Sequence, residues 1–240
     1  MNVDPNNTIM LPLSDGRIVP LRIEINKRAR RLILRLDEKR AEAVAVAPSA
    51  RHVKEAVAFA QARISWLADA LARLPEPVHV KDGSEIPLRG SACQITSSGP
   101  GRKPVLEAGP PARLRLPGDP DTIGRRALRY FKTAARHDLE RCVSTHCDRL
   151  GLQAHKVSIK DTRSRWGSCS SAGKLSFSWR LIMAPEDVLD YVAAHECAHL
   201  IEMNHSPAFW SIVETCRPDW RPARDWLRRH GASLHAVQLG

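Results

Sequence analysis

Residues Tyr191–Trp210 read YVAAHECAHLIEMNHSPAFW, and the fold of the second half of the chain turns on this stretch. His195 and His199 are four apart, so on a helix both imidazoles emerge from one face and can reach a single metal ion. Glu196 lies one position round from that face, where it suits a general base better than a ligand. Two ligands and a base from one helix is the H-E-x-x-H arrangement of metal-dependent hydrolases. Leu189, Val192, Ala193, Ala194, Cys197, Ala198, Leu200 and Ile201 make the segment apolar nearly all round, which predicts a buried helix. Two imidazoles and a carboxylate in such a helix need partners.

His205 requires a separate argument. Six more residues of unbroken helix would carry it roughly 9 Å onward and off the metal face. The helix must therefore stop between His199 and His205. Asn204 is read as a left-handed residue after the last turn, with Ser206-Pro207 as the N-cap and first residue of the next helix. Three histidines then leave a fourth position open, as in a catalytic rather than a structural zinc site.

The chain has 240 residues, 43% of them hydrophobic and 26% charged, enough for a substantial core. The formal net charge is +11, which favours anionic partners such as nucleic acid, nucleotides or anionic lipid, although the cations are spread rather than blocked. The six cysteines form no C-x-x-C pair. Together with a start that lacks a targeting signal, they lead us to expect reduced thiols and a cytoplasmic location. No run is long and apolar enough to span a bilayer.

In chain order, residues 1–15 read as loose. Three extended runs follow between Ile18 and Ala47, then one helix from about Ser49 to Leu74. Residues 76–119 read as a Gly/Pro-rich β linker region, and a long helix is expected from Thr122 to Leu150, with Ile123, Ala127, Phe131, Ala135, Leu139 and Val143 on one side. His137, Cys142, His146 and Cys147 decorate that helix without forming a compact ligand pattern. Antiparallel strands (HKVSIKD and KLSFSWRL) precede the histidine helix, which opens with Pro185 at N1. An edge strand beside the metal would hold an extended peptide. A last helix is expected from about Ala223 to His230. Glu214 is a candidate for orienting a ligand histidine, and an ordinary surface carboxylate is the alternative. The expected fold class is α+β: an N-terminal β-strand-plus-helix unit (1–75), the linker region (76–119) and a zincin-like domain (120–240).

Arg165-Trp166-Gly167-Ser168-Cys169, Trp179-Arg180-Leu181, Asp190-Tyr191-Val192 before His195, and His205 followed by Phe209-Trp210 resemble the YgjP-like metallopeptidase-domain family, relatives of the SprT-like and WLM zinc proteases. The likeness is best over about residues 125–231. It implies a zincin-like domain with His195, His199 and His205 on Zn2+ and Glu196 as catalytic base. Cys197 stands where Leu is more usual in the family and is expected to point away from the metal. The histidine spacing also equals that of metzincins, but Glu202 replaces their glycine and no methionine follows position 203 to make a Met-turn.

The chemistry expected is peptide hydrolysis with a polypeptide substrate, and the basic charge suggests a refinement in which the protease acts near nucleic acid. Arg165, Arg180 and Tyr191 are the candidates for a second oxyanion donor or substrate contact. Two alternatives remain at this stage. One is a metal-dependent nucleotide phosphoanhydride hydrolase, opposed by the lack of a Gly-rich phosphate loop. The other is a binding protein in which zinc is structural.

Overall fold

Alternating burial along Val19, Leu21 and Ile23 marks the first strand pattern of the chain. In the computed structural model, which describes residues 8–13, 15–37, 42–101, 103–153, 156–162 and 164–239, the chain divides into two compact units, Met1–Pro75 and Glu76–Gly240.

In the first unit, strands β1 (Thr8–Pro12), β2 (Ile18–Ile25), β3 (Ile33–Asp37) and β4 (Glu42–Ala47) form a sheet of order β1-β2-β4-β3. Strand β4 is buried along its whole length, as its position between two neighbours and its small-apolar sequence EAVAVA require. Helices α1 (Val53–Gln61) and α2 (Ile64–Ala72) bury Ala56, Val57, Ala60, Leu67, Ala68 and Leu71 in the same core. Two expectations are corrected here. The stretch read as loose contains β1, while residues 1–7 and 14 lie outside the described residues. The single helix expected over 49–74 is two helices. Arg63 leaves helical geometry (φ −122°, ψ 23°), so each short helix turns its own apolar face inward.

The second unit is built on α3 (Ile123–Arg149), a 27-residue helix. Its residues Ile123, Ala127, Phe131, Ala135, Leu139 and Val143 recur every three or four positions and are all buried. After the short strand β5 (Val78–His79), strands β6 (Glu85–Leu88), β7 (Ser91–Ser97), β8 (Val105–Glu107) and β9 (Ala112–Leu116) form a sheet of order β6-β7-β9-β8. Ile86, Leu88, Ile95, Leu114 and Leu116 of that sheet join one core with α3. Residues 76–119 thus pack as part of this unit.

Beyond α3, strands β10 (Val157–Lys160), β11 (Gly167–Cys169) and β12 (Leu175–Ser178) form a sheet of order β10-β12-β11. The expected antiparallel pairing of the first and last of these is corrected, because β10 and β12 run parallel. Strand β11 forms a tight hairpin with β12 and occupies its antiparallel side, so β10 pairs on the other. The run read as one strand to Leu181 ends at Ser178, whose side chain caps a 3-10 turn at Trp179–Met183. Helix α4 (Glu186–Ala198) follows, with Pro185 at the N-cap rather than N1, then α5 (Pro207–Cys216), α6 (Trp220–Ala236) and β13 (Val237–Gln238), which pairs with β5. Helix α6 starts earlier than expected because Pro222 falls within its first turn, where a missing N–H costs nothing.

Candidate metal centre

Helix α4 is buried on nearly every side: Val188, Leu189, Val192, Ala193, Ala194, Cys197 and Ala198 are all closed to solvent. It ends at His199. The next three backbone N–H groups turn back onto Cys197 and Ala198, making a tight terminal turn. Asn204 is not left-handed; among the described residues Arg89 is the non-glycine with positive φ. The corner is instead organised by Glu202. Its carboxylate accepts the Asn204 N–H at 3.0 Å and its carbonyl accepts from His199 Nδ1 at 3.0 Å. Ser206 then caps α5 by accepting the Phe209 N–H, with Pro207 in the first turn.

This corner returns His205 to α4. Nε2 of His205 lies 3.1 Å from Nε2 of His195, and one ligand atom from each of His195, His199 and His205 lies within 4.8 Å of the others. Among the described residues this is the group of three side chains able to hold a metal ion, and the cluster on α3 forms no second one. The His195–His205 separation is close to that of two ligands on one tetrahedral zinc. Tetrahedral Zn–N bonds of about 2.0–2.1 Å place two nitrogens roughly 3.3 Å apart. Because a carbonyl only accepts, His199 must carry its proton on Nδ1, which turns the Nε2 lone pair to the centre. Burial, then the neighbouring His199, His205 and Arg224, push His195 down to about 3. Burial likewise lowers His199. Neutral imidazoles are the ligand form.

Phe209 is fully buried beneath the cluster, its ring centroid 4.4 to 4.9 Å from all three imidazoles. Beside it Trp210 stacks on Trp220 at 4.4 Å, and Trp220 lies parallel to Tyr191 at 6.2 Å. The metal corner therefore has an aromatic floor.

Glu196 is 6% exposed. Burial pushes its carboxyl up to about 7, against the opposing charge of Arg165 and a hydrogen bond from the Cys169 N–H. The close approach that permits this is made by Gly167: a Cβ there would come within 2.5 Å of Glu196 Cγ and Oε1. Gly167 is held by its neighbour Trp166, which stacks on His235 at 4.6 Å and packs against Gly231. The sequence shows Trp166-Gly167 only as part of the family likeness and gives no sign of this role, since 29 positions separate Gly167 from Glu196.

The structure distributes the other named residues unevenly. Arg165 and Tyr191 line a cleft with His195 and Glu196. Burial pushes the Tyr191 phenol up to about 12, so it stays a proton donor. Arg180 does not reach the cleft. It is 3% exposed and donates to Asp161 and to the carbonyls of Leu234 and Val237, each at 2.8 Å. Glu214 pairs with Arg221 at 2.9 Å instead of orienting a histidine. Cys197 faces away from the histidines, beside Cys147 and Cys216, and burial raises its thiol. On the same side Asp190 accepts from the buried His146 at 2.8 Å and from Arg217 at 2.6 Å, fastening α4 to α3 and to the end of α5.

Three histidines, a buried carboxylate and an adjoining strand edge on an α+β scaffold place the chain among the metal-dependent hydrolases. The family model described as "YgjP-like, metallopeptidase domain" matches residues 30–230, and the chain belongs to that family. The family implies a metal ion and a metallopeptidase activity in general terms. The solved structure of the metallopeptidase zymogen of Pyrococcus abyssi abylysin is 28% identical, covering 40% of this chain and 95% of that one, with a TM-score of 0.36. A search of curated protein sequences returns no match. No helix among the described residues is long and apolar enough to cross a membrane.

Proposed function

We propose that the chain is a zinc-dependent peptidase in which His195, His199 and His205 hold the metal and Glu196 is the general base. The observation that carries this reading is the convergence of three imidazole nitrogens next to a carboxyl held near neutrality. When bound, a zinc ion supplies Lewis acidity, making water more acidic and a carbonyl more electrophilic. Glu196 takes the proton from the attacking water and returns it to the departing amine, a task that suits a pKa close to the working pH. The Glu202 carbonyl keeps His199 in the ligating tautomer, and Phe209 keeps water from the far side of the rings. Tyr191 and Arg165 are the donors positioned in the cleft for developing negative charge.

Strand β11 is the edge of its sheet. Trp166 and Ser170 bond to β12, so the alternation of an antiparallel pair turns the main-chain groups of Gly167 and the Cys169 carbonyl to the free side, while the Cys169 N–H is taken up by Glu196. That edge, next to Glu196, supports binding of an extended peptide by main-chain hydrogen bonds.

The experiment is cleavage of an unstructured polypeptide by zinc-loaded protein, with Glu196→Gln and chelated protein alongside. The expected result is cleavage that falls by on the order of 10²–10⁴-fold in Glu196→Gln while zinc content is unchanged. Equal cleavage by wild type and Glu196→Gln would remove Glu196 from the mechanism. Cleavage of nucleoside triphosphates instead of peptide would replace the peptidase reading.

A further inference from the structure

The sheet that supplies the edge strand has a second face. Residues 157, 175 and 177 point into the core, so by the two-residue repeat Ser158 and Ser176 point outward. Ser168 of β11 is in register with Ser176, and Ser158 Oγ lies 2.6 Å from Ser176 Oγ. These three serines form a row across the sheet. Lys156 and Lys160 flank Ser158 at a spacing of two, and Lys174 stands in the same relation to Ser176, so the lysines rim the serine floor. All three lysines are exposed.

This groove, about 570 Å³, meets the metal cleft, about 460 Å³, at Arg165, Ser168 and Cys169. On the other side of Glu196 the cleft that holds Tyr191, about 360 Å³, shares Arg165, Gly167, His195 and Glu196 with the metal cleft and adds Arg224 and Arg228. Among the described residues Glu196 is the only carboxylate lining any of the three. Arg228 has one distant ion-pair partner, Asp225 at 3.5 Å, and Arg224 rests over the Trp210 and Trp220 rings. The path past the catalytic carboxyl is therefore positively charged at both ends.

We propose that this path selects unstructured polypeptides bearing Asp or Glu on both sides of the bond to be cut, with acidic side chains at alternate positions along the strand that pairs with β11. The inference rests on the peptidase reading of the same site. A peptide added to the β11 edge sends every second side chain over the serine row toward Lys174, with Lys160 one strand further across at roughly 14 Å, and the intervening ones toward the histidines. Single-stranded nucleic acid is the other polyanion to consider. It is bound by rows of accessible aromatic rings; the serine-floored groove is lined by none, and of the rings lining the Tyr191 cleft Trp166 is stacked on His235 and Tyr191 is buried.

The test is binding to zinc-loaded Glu196→Gln, read by fluorescence anisotropy at low salt. The probes are labelled unstructured peptides of one length carrying Glu, Gln or Lys at alternate positions, with a single-stranded oligonucleotide of similar charge. The expected result is affinity about tenfold higher for the Glu peptide than for the Gln peptide, the sum of several exposed charge contacts. That preference disappears in Lys160→Glu/Lys174→Glu and shrinks as salt is raised. Equal binding of the Glu and Gln peptides, or tighter binding of the oligonucleotide than of the Glu peptide, overturns the proposal. Wild-type turnover separates the two readings. If Glu and Gln peptides are cut with equal kcat/KM, the acidic preference is wrong and the peptidase stands. If the Glu peptide binds selectively and is never cut, the acidic path stands and the peptidase reading falls.

Discussion

Helix α4 carries two carboxylates shielded from water, Asp190 half-buried and Glu196 buried, and the protein treats them in opposite ways. Asp190, in the first half, is ringed by donors: hydrogen bonds from His146 and Arg217 outweigh burial and hold it down at about 2. Glu196, in the second half, has one backbone N–H and a more distant arginine, so burial dominates and raises it to about 7. Desolvation acts the same way on both groups, and the supply of donors decides the outcome. The first arrangement fastens the helix. The second leaves a carboxyl free to exchange a proton, the state required of a base.

The largest effect that would break this contrast is expected at Asp190. Asp190→Asn should destabilise the second unit by about 2–3 kcal/mol at neutral pH, leaving His146 and Arg217 without their shared partner. The sign follows from a folded pKa of about 2, below the ordinary carboxylate value of 3.8. The contribution is complete above about pH 4 and is lost as pH falls through about 2. Urea unfolding followed by tryptophan fluorescence reports on this unit, since five of the six tryptophans lie within it. Variant and wild-type curves that stay equally far apart from pH 6 to pH 2 would contradict the assignment.

Glu196 should give the opposite sign. In metal-free protein its raised pKa means that stability present below about pH 4.5 is lost as pH rises through about 7. Metal-free Glu196→Gln is therefore expected to be more stable than wild type at pH 8, by about 1–3 kcal/mol, and equal to it near pH 4. The same unfolding measurement checks this, and a variant less stable at pH 8 would refute it.

Gly167→Ala sharpens the contrast from the other side of the cleft. Its Cβ would displace the Glu196 carboxyl, with a cost of about 1–2 kcal/mol and a fall in kcat of about tenfold or more at unchanged zinc content. Wild-type kcat in this variant would mean that the position of Glu196 is not critical. The smallest effect is expected for Glu202→Ala, which removes one hydrogen bond to the Asn204 N–H while leaving the carbonyl that holds His199. Zinc affinity, read by competition with a chromophoric chelator, should weaken by about threefold to tenfold. No change would show that the corner holds His205 without that carboxylate.

How much of this was legible in the sequence differs from residue to residue. The spacing of His195 and His199, the buried character of α4 and the need for a stop before His205 follow from helical periodicity, which is local. The long helix and its buried stripe were legible for the same reason. The device that makes the stop was misread. Asn204 looked like a left-handed cap, whereas a side chain at Glu202 does the work, and side-chain bonds of that kind leave no periodic signal. Arg180 looked available for substrate until the fold enclosed it between Asp161 and two distant carbonyls.

By itself the sequence determined which groups can ligate a metal, that two share a helix face, and that the third must arrive from a corner. Those conclusions depend on distances of a few residues, along which backbone geometry is nearly invariant. Only the tertiary structure decided that Gly167 lies against Glu196, that Phe209 closes the cluster from below, and that one carboxylate of α4 is saturated with donors while the other is not. These facts depend on which surfaces meet across separate helices and strands. Burial and proximity, which set the chemistry of each group, come into being only when those surfaces pack.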